Sequence, residues 1–354
     1  VKPEFPPVAE REVPSQMPAS GRCKLAFVGE APGDEECEKF RPFVGPSGRV
    51  FDALLRAASI DRSEVYVGNV FSTKLSENKV SKERAIRGAG WEPFVARNSE
   101  RLAGELATVR PNVVVPLGGT ALLALLGTPS IAKWRGGLCY GVGPYSQQKL
   151  LPTWHPAAVL RQWNQFPICI GDYIKAASEA EKGPRIDYPN RVLNIAPTIQ
   201  EVEDALGRYS SMSGLLSCDI ETGWGQIRGV SFAPNEEEAI YVPFISLATI
   251  NRSYWATPAL ERRAWEAVKR CLESPTPKLG QNFVNYDVVW LLSKMGIKPA
   301  RVSEDLRLLH KAVVPELPAS LAFMASAYSK QGAWKAWVSH GGAKKAEREE
   351  KRDE

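Results

Sequence analysis

Short apolar runs alternate with helical stretches through the first half of this chain, and that alternation constrains the fold more than any other feature. Lys24-Leu25-Ala26-Phe27-Val28 ends in Gly29-Glu30-Ala31-Pro32-Gly33, a strand feeding a loop. Val65 to Val70 is a second strand, Asn112 to Leu117 a third that is apolar from Val113 onward, and Lys149 to Thr153 a fourth. Between them, Ser47 to Ala58 carries Val50, Phe51, Leu54 and Leu55 at helical spacing, and Trp91 to Val109 and Thr120 to Leu126 read as helices. Strands alternating with helices imply an α/β sheet of parallel character, whose ligands collect at the carboxyl ends of the strands.

After about residue 181 the pattern changes. Residues 1–21 hold five prolines and read as an extended lead-in, residues 22–180 as the first domain and residues 181–190 as a linker. In residues 191–338, the segments Leu215 to Ile220, Ile227 to Phe232 and Ala239 to Val242 form an antiparallel meander. Helices are expected at Gln200 to Tyr209, Pro258 to Leu272, Asp287 to Met295, Asp305 to Val313 and Ser320 to Tyr328. Residues 339–354 are a charged tail. The 354 residues are 44% apolar and 24% charged, which excludes a mainly disordered chain. No apolar run is long enough to span a membrane, and the proline-rich start has no signal-peptide core, so an intracellular, cytoplasmic protein is expected. Three histidines are too few for a His-rich metal site, and six cysteines with no C-x-x-C pair read as buried hydrophobes.

The formal charge of +5 lies in residues 1–185. Residues 106–171 contain no acid but include Arg110, Lys133, Arg135, Lys149 and Arg161, interleaved with Trp134, Trp154 and Trp163. Cations for phosphates and aromatic faces for bases suit a nucleic-acid partner.

Ten residues beyond the first glycine loop, Pro42-Phe43-Val44-Gly45-Pro46-Ser47-Gly48 opens a helix. Such glycines allow close backbone approach to a ligand, and amides at a helix start suit an anion. GEAPGDEE, RPFVGPSG, the strand-end Gly68-Asn69-Val70 and Trp154-His155-Pro156-Ala157-Ala158-Val159-Leu160-Arg161 together resemble the uracil-DNA glycosylase superfamily, in order and spacing, over roughly residues 22–180. The resemblance implies a three-layer α/β/α domain and roles for single residues. Glu30 would position or activate water or stabilise a cationic sugar, Phe43 would stack on a flipped base, Asn69 would read its amide edge, and His155 would donate to the uracil oxygen that gains charge. Gly29, Pro32, Gly33, Gly45, Ser47 and Arg161 would complete the DNA-binding surface, with Ala157 to Arg161 pushing into the duplex. Iron–sulfur relatives use two cysteine pairs; here Ser72 and Thr73 stand in that region, so no cluster is expected.

Leu215-Leu216-Ser217-Cys218-Asp219-Ile220-Glu221-Thr222 puts Asp219 and Glu221 on one face of a strand. Two carboxylates on one face suit a divalent-cation pair, and Asp287, after Gly280-Gln281-Asn282-Phe283-Val284-Asn285-Tyr286, could join them. Residues 190–338 resemble the 3′–5′ exonuclease domain of the DnaQ-like superfamily, in particular the proofreading domain of family A DNA polymerases. That implies an RNase H-like mixed sheet and Mg²⁺ or Mn²⁺ held by Asp219, Glu221 and Asp287. The family's third motif, a Tyr followed by an Asp, is missing after Tyr328. Either the chain is C-terminally incomplete or the last ligand is lost, and truncation is the expectation, in keeping with Val at position 1.

The expected protein excises uracil or a related base from single- or double-stranded DNA and carries an exonuclease-type domain. Such a fusion suits a virus-encoded protein acting in a host cell beside a polymerase or other replication machinery. The alternatives are the N-terminal part of a family A-like polymerase and a non-catalytic DNA-binding module.

Overall fold

The structure, a computed structural model, describes residues 11–248 and 252–329. The expected tail lies outside these residues, as do 330–338 and the first ten positions of the lead-in. The described residues form two compact units: 11–187 together with 322–329, and Tyr188–Leu321. Residues 322–329, expected in the second domain, thus group with the first.

Five strands build the sheet of the first unit: β1 (Leu25–Gly29), β2 (Tyr66–Asn69), β3 (Val113–Pro116), β4 (Cys139–Tyr140) and β5 (Lys149–Leu150). Their order is β2-β1-β3-β5-β4, parallel except for the β4–β5 edge. Every residue of β1 is buried, because helices cover both faces. Ala26 and Val28 point into a core with Phe94, Leu102 and Leu106, whereas Leu25 and Phe27 point into another with Phe51, Leu54 and Tyr173. The two-residue period of a strand thus makes one apolar run serve two cores, giving three layers. The lead-in is not free of the sheet. Glu12 and Gln16 bridge Thr73 and Val67, and Val13 is buried.

The second unit adds β6 (Val192–Asn194), β7 (Leu216–Gly223), β8 (Gln226–Ala233), β9 (Glu238–Pro243), β10 (Lys278–Gly280) and β11 (Val302–Asp305). The order is β11-β10-β7-β8-β9-β6, with β7–β8 and β8–β9 antiparallel and the remaining pairs parallel. This is a mixed sheet with an antiparallel meander at its centre, as expected. Helices Ile199–Tyr209 and Pro258–Leu272 supply Val202, Leu206, Ala264 and Val268 to a core shared with Cys218 and Val230. The first of these helices starts at a capping box in which Thr198 Oγ1 accepts from the Glu201 amide at 3.3 Å and Glu201 reaches back to the Thr198 amide at 2.7 Å.

Candidate active site

The carboxyl ends of β1 and β2 and the loop after β3 open into one cleft of about 720 Å³, lined by Glu30, Pro32, Phe43, Asn69, His155 and Arg161 among others. Gly33 and Ser47 also line it. Two glycines shape its floor by what they lack. A Cβ on Gly29 would lie 2.4 Å from Asn69 Oδ1 and 2.6 Å from Phe43 Cζ, and one on Gly48 would lie 2.2 Å from the Phe43 carbonyl. Only bare backbone lets Phe43 and Asn69 sit where they do.

Phe43 adopts a left-handed backbone, φ 52°, which a non-glycine residue holds only when its surroundings enforce it. Arg62 does so from one side, donating to the carbonyls of Pro42 at 2.6 Å and Phe43 at 3.0 Å while pairing with Asp52 at 2.6 Å. From the other side, buried Glu36 accepts from the amides of Val44 at 2.9 Å, Gly45 at 2.8 Å and Gly33 at 3.1 Å. One carboxylate therefore ties the two glycine loops together. Asn69 is held through its backbone: Arg101 donates to its carbonyl at 2.6 Å and to that of Val70 at 3.0 Å. The Thr120 hydroxyl donates to Glu30 Oε2.

His155 caps the helix Pro156–Arg161, and its Nδ1 accepts from the Ala157 amide at 3.1 Å. A ring nitrogen that accepts carries no proton, so the proton of the neutral imidazole rides on Nε2. Burial, and secondly the positive charge of Arg161, push the pKa down to about 4. The ring stands 5.7 Å from that of Phe43, centroid to centroid. Gly118, at φ +85°, makes room behind it: a Cβ there would lie 2.9 Å from His155 Cβ. The cleft thus brings together Glu30, Phe43, Asn69 and a neutral N–H donor. Beyond His155, Arg161 is exposed, Leu160 is 47% exposed, and Trp163 is 60% exposed and stacked on Phe166.

The acid-free stretch is less of a DNA surface than its composition implies. Arg135 is buried against Asp172 at 2.6 Å and Lys149 against Glu179 at 3.5 Å, and Trp134 is core. Arg110, Lys133 and Arg161 do reach solvent.

In the second unit, Asp219 and Glu221 share the exposed face of β7, as expected. Asp287 does not share that exposed face. It is buried, and its Oδ1 accepts from the Ile220 amide at 2.8 Å, capping β7 beyond the end of β10. Burial above all, with the Asp219 charge, lifts its pKa to about 7. Among the described residues, no group of three or more His, Cys, Asp or Glu side chains is arranged to hold a metal ion. The trio therefore does not fit a divalent cation as it stands. All six cysteines are buried as free thiols.

Glu36, Thr120, Arg62 and Arg101 were not among the sequence-derived site residues. For Glu36 a signal existed: it stands three positions after Gly33, the capping-box spacing.

Comparison with known proteins assigns the first unit. The family model described as uracil DNA glycosylase superfamily matches residues 17–177. A type-4 uracil-DNA glycosylase of Thermotoga maritima is 34% identical over 140 residues, 39% of this chain and 67% of that protein. The chain belongs to the uracil DNA glycosylase superfamily. A second type-4 relative of this superfamily member, from Archaeoglobus fulgidus, is 30% identical over 39% of the chain and 68% of its own length. A DNA polymerase of Bacillus phage SP01 is 25% identical over 214 residues, 59% of this chain but 22% of the polymerase. A crystal structure of the EXD2 exonuclease domain soaked in Mn and GMP matches 38% of this chain and 68% of its own, at 15% identity and a TM-score of 0.25. No helix among the described residues of this superfamily member is long and apolar enough to cross a membrane.

Proposed function

We propose that the first unit hydrolyses the N-glycosidic bond of uracil, or a closely related base, in DNA. The observation that carries this reading is the fixed tautomer of His155: an Nε2–H donor on a neutral ring, in a cleft that also holds Phe43, Asn69 and Glu30. A base inside a stack cannot be reached, so it must be extruded, and Phe43 offers the face on which it stacks. Asn69 reads the amide edge. As the bond from C1′ breaks, its electron pair goes to the base, and the Nε2–H of His155 donates to the base oxygen that gains charge. A neutral donor suits this step, since it stabilises the anion without giving up its proton. Glu30, steadied by Thr120, faces the sugar side, orienting the water that adds to C1′ and balancing the oxocarbenium charge. The water's hydroxyl ends on C1′ and its proton on the departing base. Pro32, Gly33 and Ser47 form the pocket wall, Gly29 lies against Phe43 and Asn69 and Gly45 against Glu36, while Arg161 meets phosphate.

Single- and double-stranded oligonucleotides with one uracil test this. Alkali-dependent strand breaks are expected from the intact chain, reduced at least a hundredfold in Glu30→Ala and His155→Ala. Undiminished breaks in both variants would remove the reading. For the second unit the reading is narrower, a DNA-holding module, supported by its RNase H-like sheet. Loss of 3′ nucleotides that requires Mg²⁺ or Mn²⁺ and vanishes in Asp219→Ala would instead establish an exonuclease using Asp219, Glu221 and Asp287.

A further inference from the structure

Within the first unit, the helix Leu321–Tyr328 brings buried polar groups together. Arg135 makes a two-pronged pair with Asp172, Nη2 to Oδ1 at 2.6 Å and Nε to Oδ2 at 3.1 Å, and both residues are buried. The third guanidinium nitrogen, Nη1, donates to Ser326 Oγ at 3.3 Å, and the Phe323 ring lies 4.9 Å from Arg135 Cζ. Beside this pair, Lys175 Nζ donates to the carbonyls of Gly136 at 2.6 Å, Ser326 at 2.7 Å and Ser329 at 2.8 Å. The fit leaves no slack: a Cβ on Gly136 would lie 2.8 Å from Asp172 and 3.0 Å from the Ser326 carbonyl.

The same carboxylate that meets Arg135 also accepts from Thr153 Oγ1 at 2.6 Å. Thr153 is two residues before His155. Its carbonyl accepts from the amide of Gly118, the residue packed behind the His155 ring, at 2.9 Å, and its own amide donates to Pro116 at 3.1 Å. A continuous chain of charge-assisted bonds therefore runs from Ser326 through Arg135, Asp172 and Thr153 to the backbone that aims His155. Nothing in the proposed chemistry uses these groups. A bidentate guanidinium–carboxylate pair is rigid in a way a single bond is not.

Building on the assignment of His155 as donor to the leaving base, we propose that Arg135 and the segment Ala322–Ser329 are positioning elements of the excision site. They fix Asp172, which fixes Thr153, which sets the orientation of the imidazole. On this view the segment that follows the second unit in sequence is part of the glycosylase machinery.

The test compares the full chain with Arg135→Gln, Arg135→Lys and Phe323→Ala. Three quantities are measured: single-turnover uracil release, affinity for the uracil oligonucleotide carrying a non-hydrolysable glycosidic bond, and the ¹H–¹⁵N signal of the His155 imidazole. Arg135→Gln is expected to slow release roughly tenfold, since small misplacements of a catalytic group are costly, with affinity changed less than twofold and the His155 signal shifted. Arg135→Lys should recover part of the rate. Phe323→Ala should show the same pattern more weakly. Wild-type release rates and an unmoved His155 signal in folded Arg135→Gln and Phe323→Ala would overturn the relay. If Arg135→Gln does not fold, Phe323→Ala decides by the same two readouts, since it removes only a half-buried ring. If the unaltered chain releases no uracil, the excision reading fails separately, and the His155 signal in the variants still reports on the relay.

Discussion

The chemistry of the cleft depends on the charge state of one side chain. His155 stays neutral because its ring is desolvated and Arg161 repels a second positive charge. With a folded-state pKa of about 4 against 6.5 in an unfolded chain, the unfolded state binds a proton that the folded one refuses. Between those values stability therefore falls as pH drops, and below about pH 4 the loss levels off. For excision, the expectation is a donor that survives mild acid: the acid limb of the rate profile is not set by His155 above pH 5. An NMR titration of the imidazole checks this, and a midpoint near 6.5 would contradict it. Arg161→Ala removes the like charge and should move the midpoint upward. The motif that singles out His155 is visible in the sequence, but the tautomer of its ring is not. That depends on a 3.1 Å bond from the Ala157 amide, formed only once the chain turns into the helix Pro156–Arg161.

Elements that position side chains were legible in proportion to their length and amphipathicity. The helices Trp91–Val109 and Pro258–Leu272 have the bounds that apolar spacing predicts. Strands of two or three residues, such as Cys139–Tyr140 and Lys278–Gly280, carry too few side chains for a period to show. The helix Phe166–Glu181 escaped for another reason: its buried face includes Asp172, whose partner Arg135 is distant in sequence, and Glu179, which reaches Lys149 as well as Lys182. Loop architecture was the least legible. The two glycine loops were read as ligand cradles, yet their mutual position depends on Glu36, whose carboxylate satisfies three amides. Glu36→Ala leaves those donors without partners inside the protein, which should cost more than about 2 kcal/mol. Because the loops carry Phe43, uracil release should also fall by more than the fraction unfolded. Denaturant unfolding and a single-turnover assay separate the two effects; a stable, fully active variant would show that the loops hold without the clamp.

At the scale of the whole molecule, composition pointed to a basic first half, and the fold decides which of those cations reach a partner. Arg161 and Lys133 are exposed, whereas Arg135 and Lys149 are consumed by buried ion pairs. DNA affinity should therefore fall with salt, and Arg161→Ala should lower the slope of log K against log salt by about one. Lys149→Met should leave that slope unchanged. Fluorescence anisotropy over a salt series measures both, and an unchanged slope for Arg161→Ala would place the phosphates elsewhere. The sequence pattern changes near residue 181, and the first stretch of the first unit runs to Asp187. The return of 322–329 to the first unit is not visible in that pattern, because it rests on single polar contacts such as those of Lys175 with Ser326, 151 residues apart. That return has a consequence for biosynthesis. A ribosome adding roughly 5–20 residues per second needs about 8–30 s to reach Ser326 after delivering Lys175. For that interval the Lys175 ammonium holds the Gly136 carbonyl but lacks its two other acceptors, the carbonyls of Ser326 and Ser329, and Arg135 Nη1 lacks Ser326, so this corner of the first unit closes only when the later segment emerges.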